Sequence, residues 1–164
     1  MQRLDCCITS SCCQCESSIR LVSEVCPACG KQGLAVKNFT VKHIVKEQYL
    51  NDVGDGDYFL CMNPECDVGY YGRGKVFSKN QLKVPIWLKR DANPKYVCYC
   101  SKVTEEDVIN AVLEKGANTI ADVCKITGAM SNCKCEINNP TGSCCYNIVK
   151  EAFERALVLK RNRV

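Results

Sequence analysis

The chain has one histidine, one tryptophan and no long apolar run. Each absence removes a class of function. A cysteine or serine nucleophile needs a partner base, and the lone His43 lies in none of the cysteine clusters. No apolar stretch nears the roughly 18 residues that a membrane helix needs, so no membrane role is expected. The chain opens MQRLDCC, without the apolar stretch of a secretory signal, so the expected location is cytoplasmic. Net charge is only +4, and the basic residues are scattered apart from Lys160, Arg161 and Arg163. That tail reads as a solvated helix end, and no nucleic-acid partner is expected. Nothing in the chain resembles a phosphate loop or a nucleophile paired with a base. The expectation is a carrier rather than an enzyme, with metal reduction as the one activity to consider.

What the chain has in quantity is cysteine: sixteen in 164 residues. All but Cys124 lie in short clusters: Cys6, Cys7, Cys12, Cys13 and Cys15; Cys26 and Cys29; Cys61 and Cys66; Cys98 and Cys100; Cys133, Cys135, Cys144 and Cys145. At about a tenth of the chain, this density means a disulfide framework or a metal-thiolate protein. CxC and CC pairs are too close to bond to each other easily, yet they chelate one metal centre well. The absence of a secretory signal points the same way. Without cysteine, the apolar share falls to roughly a third, short of an ordinary core. Metal crosslinks are the usual remedy in small domains.

The expected fold class is α+β: a small zinc-ribbon-like β domain followed by a small helical iron–sulfur domain. Residues 1–20 form a Cys-rich arm, 21–93 a β-rich zinc domain and 94–164 a helical domain. In the β-rich part, Cys26-Pro27-Ala28-Cys29-Gly30 is a knuckle. Thr40 is placed to cap a helix carrying Val41, Ile44 and Val45. Tyr58 to Leu60 is a strand, Gly72-Arg73-Gly74 marks a hairpin, and Val84 to Leu88 reads as an edge strand because of Pro85. In the helical part, Thr104 and Asp107 form a capping box, and Gly116 ends that helix. Thr119 caps a second helix bearing Ile120, Val123, Cys124 and Ile126, closed by Gly128. A third runs from Tyr146 to Leu159 with Ile148, Val149, Phe153, Leu157 and Val158 inward.

Cys26-x-x-Cys29 and Cys61-x4-Cys66 are two chelating arms. Four thiolates in a tetrahedron suit Zn²⁺, and a rubredoxin-like iron is the rival occupant. His43 between the arms reads as an ordinary helix histidine. Cys98-Tyr99-Cys100 precedes one capped helix, and the Cys133–Cys145 segment precedes another. Four sulfurs near two helix N-termini suit a negatively charged iron–sulfur cluster, because backbone N–H groups there donate to sulfur. Cys124 reads as a small core residue.

These motifs carry a family resemblance. VCYC, TEEDVINAV and GANTIADVCKITGA resemble the bacterioferritin-associated ferredoxin type of [2Fe-2S] domain, although no CxxC follows Cys100. CPAC, YFLC-x4-C, VCYC and CEINNPTGSCC, in that order, resemble the N-terminal region of the archaeal CopZ copper-chaperone family over about residues 24–150. The resemblance implies zinc on Cys26, Cys29, Cys61 and Cys66. It implies [2Fe-2S] on Cys98, Cys100, Cys135 and one of Cys144 and Cys145. Cys145 is chosen because adjacent cysteines point differently and the NPTG turn lets the chain double back. Cys133 is an additional cysteine and an alternate ligand. No MxCxxC loop occurs in this sequence, so the heavy-metal-binding domain of that family is expected to be missing.

The resemblance does not cover Cys6, Cys7, Cys12, Cys13 and Cys15. A further Fe-S cluster, pooled across a homodimer, a Cu(I) or Zn²⁺ thiolate site, and free cysteines all remain open for them. The expected function is electron transfer or metal handling, with a redox partner protein or a metal-trafficking protein. The alternative is a non-catalytic carrier or sensor of soft metal or Fe-S units. A third reading is a purely structural zinc protein.

Overall fold

The computed structural model describes residues 24–164, and the N-terminal arm lies outside them. The fold is α+β, an antiparallel sheet followed by a helical region. The chain divides into two compact units. One comprises residues 24–94 together with Glu136–Ser143; the other comprises Lys95–Cys135 and Cys144–Val164. A linear division of the chain does not separate out the 136–143 segment.

The first unit is built on β1 (Gly33–Val36), β2 (Tyr58–Cys61), β3 (Val68–Gly72) and β4 (Lys75–Ser78), antiparallel in that order. Arg73 and Gly74 join β3 to β4 with φ of 48° and 73°, as a two-residue type I′ hairpin turn requires. Both faces of β2 are buried. Tyr58 and Leu60 point into a core with Val36, Val41, Ile44, Val45, Tyr70 and Phe77. Phe59 and Cys61 point the other way, toward Cys26, Cys66, Val68 and Tyr71. Strand alternation would put Val68 and Tyr70 on one face. A bulge between them sends Val68 to the cysteine side and Tyr70 to the core.

Two expectations change here. Helix α1 (Asn38–Ile44) starts before Thr40, and the Asn38 N–H is capped by the Asp57 carboxylate at 2.9 Å. Thr40 is buried within the helix and its hydroxyl donates to the Glu136 carbonyl at 2.7 Å. Val84–Leu88 forms no strand. Proline removes a ladder donor, and the segment instead packs Ile86, Trp87 and Leu88 on the core. β1, by contrast, has no strong strand signature. Its Gly33 pairs with Cys61, and a Cβ there would collide with the Tyr71 hydroxyl.

The second unit opens with a ribbon of β5 (Tyr96–Cys98) and β6 (Val103–Thr104), followed by α2 (Glu105–Leu113) and α3 (Ile120–Thr127). A short α4 (Cys135–Asn138) begins at Cys135, and α5 (Tyr146–Asn162) closes the chain. Thr104 with Asp107 and Thr119 with Asp122 form complete capping boxes. Gly128 ends α3 at φ 79°. α5 packs chiefly on α2, burying Val149, Ala152, Phe153 and Ala156 against Val108, Ala111 and Val112. The inward stripe of α5 thus mixes Ala152 and Ala156 with Ile148, Val149 and Phe153 at helical spacing. Val158, expected inward, is exposed, and Leu157 is half-buried.

Candidate metal centres

The two arms of the first centre meet under the sheet. In the knuckle, Gly30 N–H donates to the Cys26 carbonyl at 2.8 Å with Gly30 at φ 68°, a left-handed turn that favours glycine. Cys61 ends β2, and the Cys66 N–H returns to the Asn63 carbonyl at 3.2 Å. The ligand atoms of Cys26, Cys29, Cys61 and Cys66 all lie within 4.8 Å of one another. Cys26–Cys66 and Cys29–Cys61 sulfurs are 3.9 and 3.7 Å apart. A tetrahedral ion with Zn–S near 2.3 Å sets neighbouring sulfurs about 3.8 Å apart, so the set fits zinc.

Backbone N–H groups aim at these sulfurs. The Lys31 N–H lowers the Cys29 thiol to about 6, against burial, with help from the Asn63 side chain. Burial pushes Cys61 up to about 12, opposed by the Asn63 N–H and the charge of Lys89. Burial likewise raises Cys66, opposed by the Val68 N–H. Tyr71, raised to about 12 by burial and the adjacent cysteines, donates to the Glu24 carbonyl at 2.8 Å. His43 is exposed on α1, its Nδ1 on the Phe39 carbonyl at 2.8 Å, and takes no part in this centre.

Around the second centre the thiols form a chain of contacts rather than a compact set. Cys98 ends β5 fully buried, Cys145 stands just before α5 also buried, and Cys100, Cys135 and Cys144 are half-buried. The Cys100 and Cys135 sulfurs are 3.6 Å apart. Cys145 lies near enough to Cys135, Cys144 and Cys98 for each to act on its thiol. Among the described residues, the first centre alone has three or more ligand atoms all within 4.8 Å. A two-iron cluster has that looser requirement: thiolates on one iron are a tetrahedral edge apart, and those on different irons are further. The donor set fits a [2Fe-2S] group.

The Met130 N–H donates to the Cys98 sulfur at 3.3 Å. Contact with Cys145 lowers the Cys98 thiol to about 6; burial opposes this and the Met130 N–H adds to it. Cys145 is pushed up, first by Cys135, and Cys135 is pushed up, first by Cys100. Lys102, Met130 and Cys133 hold φ of 53°, 61° and 46°, all beside these cysteines. Non-glycine residues in this region are strained and gather at functional sites. The Asn132 amide donates to the Cys100 carbonyl at 3.2 Å, tying the 128–133 loop to the CxC turn.

The helix N-termini here are those of α4, at Cys135, and of α5, after Cys145. Cys98 lies in the ribbon opposite Val103, the residue before the Thr104 that caps α2. Cys124 is buried near Cys98 and its thiol is raised by burial. Cys133 is half-buried. Cys6, Cys7, Cys12, Cys13 and Cys15 lie outside the described residues. Sequence reasoning missed Lys89, which is buried with its Nζ on the Asn63 carbonyl at 2.8 Å. Its place among polar residues just before the expected boundary at 93–94 gave no signal.

Comparison with known proteins bears on the same two regions. Residues 23–83 match the zinc binding domain of the CopZ type, and residues 96–139 match the BFD-like [2Fe-2S] binding domain. The copper chaperone CopZ of Archaeoglobus fulgidus is 36% identical over 121 residues, covering 74% of this chain and 57% of that protein. The chain thus spans a little over half the length of that curated relative. The X-ray structure of the A. fulgidus CopZ N-terminal domain superposes with a TM-score of 0.67 at 35% identity, covering 78% of this chain and 96% of that domain. No helix among the described residues is long and apolar enough to cross a membrane. On the sequence identity and the near-complete coverage of that domain, this metal-binding chain belongs to the CopZ N-terminal domain family.

Proposed function

We propose that the chain is a cytoplasmic electron-transfer and metal-handling protein. Zn²⁺ sits on Cys26, Cys29, Cys61 and Cys66, and [2Fe-2S] on Cys98, Cys100, Cys135 and Cys145. The observation that carries this reading is the difference between the two thiol sets. One fits within 4.8 Å, as a single ion needs, and the other is drawn out into contacting pairs. The Cys100 and Cys135 sulfurs are 3.6 Å apart, and Cys145 is near enough to Cys98 to lower its thiol. Cys144 lies near both Cys135 and Cys145, and the choice of Cys145 rests on its deeper burial.

When bound, such a cluster takes up or releases one electron, whereas zinc has no redox chemistry. The protein's part is burial and hydrogen bonding. Cys98 and Cys145 are shielded from water, and the Met130 N–H stabilises sulfur charge. Cys100 and Cys135 are half-buried, which gives an electron a short route to a docked partner. The relative named a copper chaperone suggests the cargo: Cu(II) accepting that one electron to become Cu(I), for a metal-trafficking partner. The N-terminal cysteines are the proposed soft-metal or second-cluster end, with a homodimer as the way to pool them.

The test is a count of iron, sulfide, zinc and copper on anaerobically purified protein, with a visible spectrum. Expected are about two irons, two sulfides and one zinc for the two described centres, and bands that bleach on reduction. A colourless protein with no iron overturns the electron-transfer reading. More than about two irons per chain, lost on truncation after Cys15, assigns the arm its own cluster.

A further inference from the structure

Lysine is rarely buried without a reason, because its charge costs several kcal/mol to remove from water unless it is paired. Lys89 is 2% exposed. Its Nζ donates to the Asn63 carbonyl at 2.8 Å, inside the loop between Cys61 and Cys66. Asn63 in turn serves two of the four sulfurs: its N–H donates to Cys61 and its side chain bonds Cys29. The next residue continues the clamp. The Arg90 N–H donates to the Pro64 carbonyl at 3.2 Å, and its guanidinium pairs with Glu65. The 89–90 segment is therefore tied to residues 63–65, the middle of the second chelating arm.

Charge supplies a second reason. Four thiolates around one divalent cation leave two surplus negative charges in a largely buried site. Among the described residues, Lys89 is the buried cation of the core, and its field acts on Cys61. Other cations near the arm, such as Arg90, are exposed and screened by water.

We propose that Lys89 is a positioning residue for the first metal centre. Its tether holds Asn63 where that residue serves Cys29 and Cys61, and its charge offsets that of the loaded thiolates. The inference rests on the zinc reading and deepens it, by naming a residue outside the ligand set that tunes metal affinity.

Zinc affinity of the full chain, measured by competition with a chromophoric chelator, tests it. Lys89→Met removes tether and charge, Lys89→Gln keeps an amide donor without charge, and Lys89→Arg keeps both. Expected is a 10–100-fold weakening for Lys89→Met, the usual cost of losing an outer-shell partner. Lys89→Gln should also weaken binding, and Lys89→Arg should lie within about threefold of wild type. Circular dichroism of the zinc-saturated proteins and the visible bands of the second centre report on folding separately. Wild-type affinity in Lys89→Met overturns the proposal, and wild-type affinity in Lys89→Gln overturns its charge part. Should Lys89→Met not fold, the Gln–Arg difference decides. A wild-type protein that binds no zinc overturns the zinc reading itself.

Discussion

Cys61 closes a strand, whereas Cys145 opens a helix, and the two centres differ accordingly. In the sheet unit, alternation on β2 delivers Cys61 to one face while Tyr58 and Leu60 build a core on the other. The four sulfurs converge within 4.8 Å, with backbone N–H groups from tight turns serving three of them. In the helical unit the thiols sit on a ribbon end, a turn and two helix starts, joined by residues at positive φ. One strand end and two tight turns are enough to focus four ligands on one point. A drawn-out set of contacting thiols leaves room for a larger group, and the loops around it carry strain that packing must offset. The comparison teaches that thiolate count alone does not distinguish the centres; spacing in three dimensions does.

The sharpest break in this comparison is Cys61→Ser. It should remove zinc and cost several kcal/mol of the sheet unit's stability, since structural zinc binding supplies about 10–16 kcal/mol of apparent folding free energy. The visible bands of the helical unit should survive. Zinc analysis, denaturant unfolding and absorbance check this, and joint loss of zinc and bands would show that the centres are not separate. Next comes the pair Cys145→Ser and Cys144→Ser. The first should abolish the visible chromophore and the second should keep it, because Cys145 is buried against Cys98 and Cys144 is half-buried. An inverted result would redraw the second centre's ligand pairs.

Leu60→Ala tests whether the two faces of the sheet are separable. Leu60 is fully buried in the core away from the cysteines, so its truncation should cost about 2–5 kcal/mol in denaturant unfolding. Zinc affinity should stay near wild type; a large fall would mean that β2 transmits strain between its faces. Thr119→Ala is the smallest effect, about 1 kcal/mol from a lost N-cap. Asp122 in that capping box is held below its ordinary value by the Asn118 N–H and then by Thr119. A lowered carboxylate stabilises the fold above its ordinary pKa and ceases to do so as pH falls through the lowered one. Thermal melts should therefore show the wild-type advantage over Thr119→Ala shrinking on acidification below the usual carboxylate range.

The parts that the chain spells out by itself are those whose partners are close in sequence. Thr104 meets Asp107 and Thr119 meets Asp122 across one helical turn, and Arg73-Gly74 needs only its own backbone to turn the hairpin. The CxxC, C-x4-C and CxC spacings belong here too, since chelation by neighbours is a local property. Other features were not legible because their partners lie far along the chain. Asp57 caps α1 from 19 positions away, and the Tyr70 hydroxyl donates to the Pro140 carbonyl across 70. That bond and Thr40 to Glu136 draw the NPTG segment into the sheet unit, although Cys135 and Cys144 on either side belong with the helices. Lys89 sits among polar residues at the end of the first domain, yet it is buried 26 positions from the carbonyl it binds. Local chemistry sets which residues are able to hold metal and where helices begin. Only chain folding, which brings distant backbone groups out of water and must then satisfy them, decides which sulfurs meet and which cation is enclosed beside them.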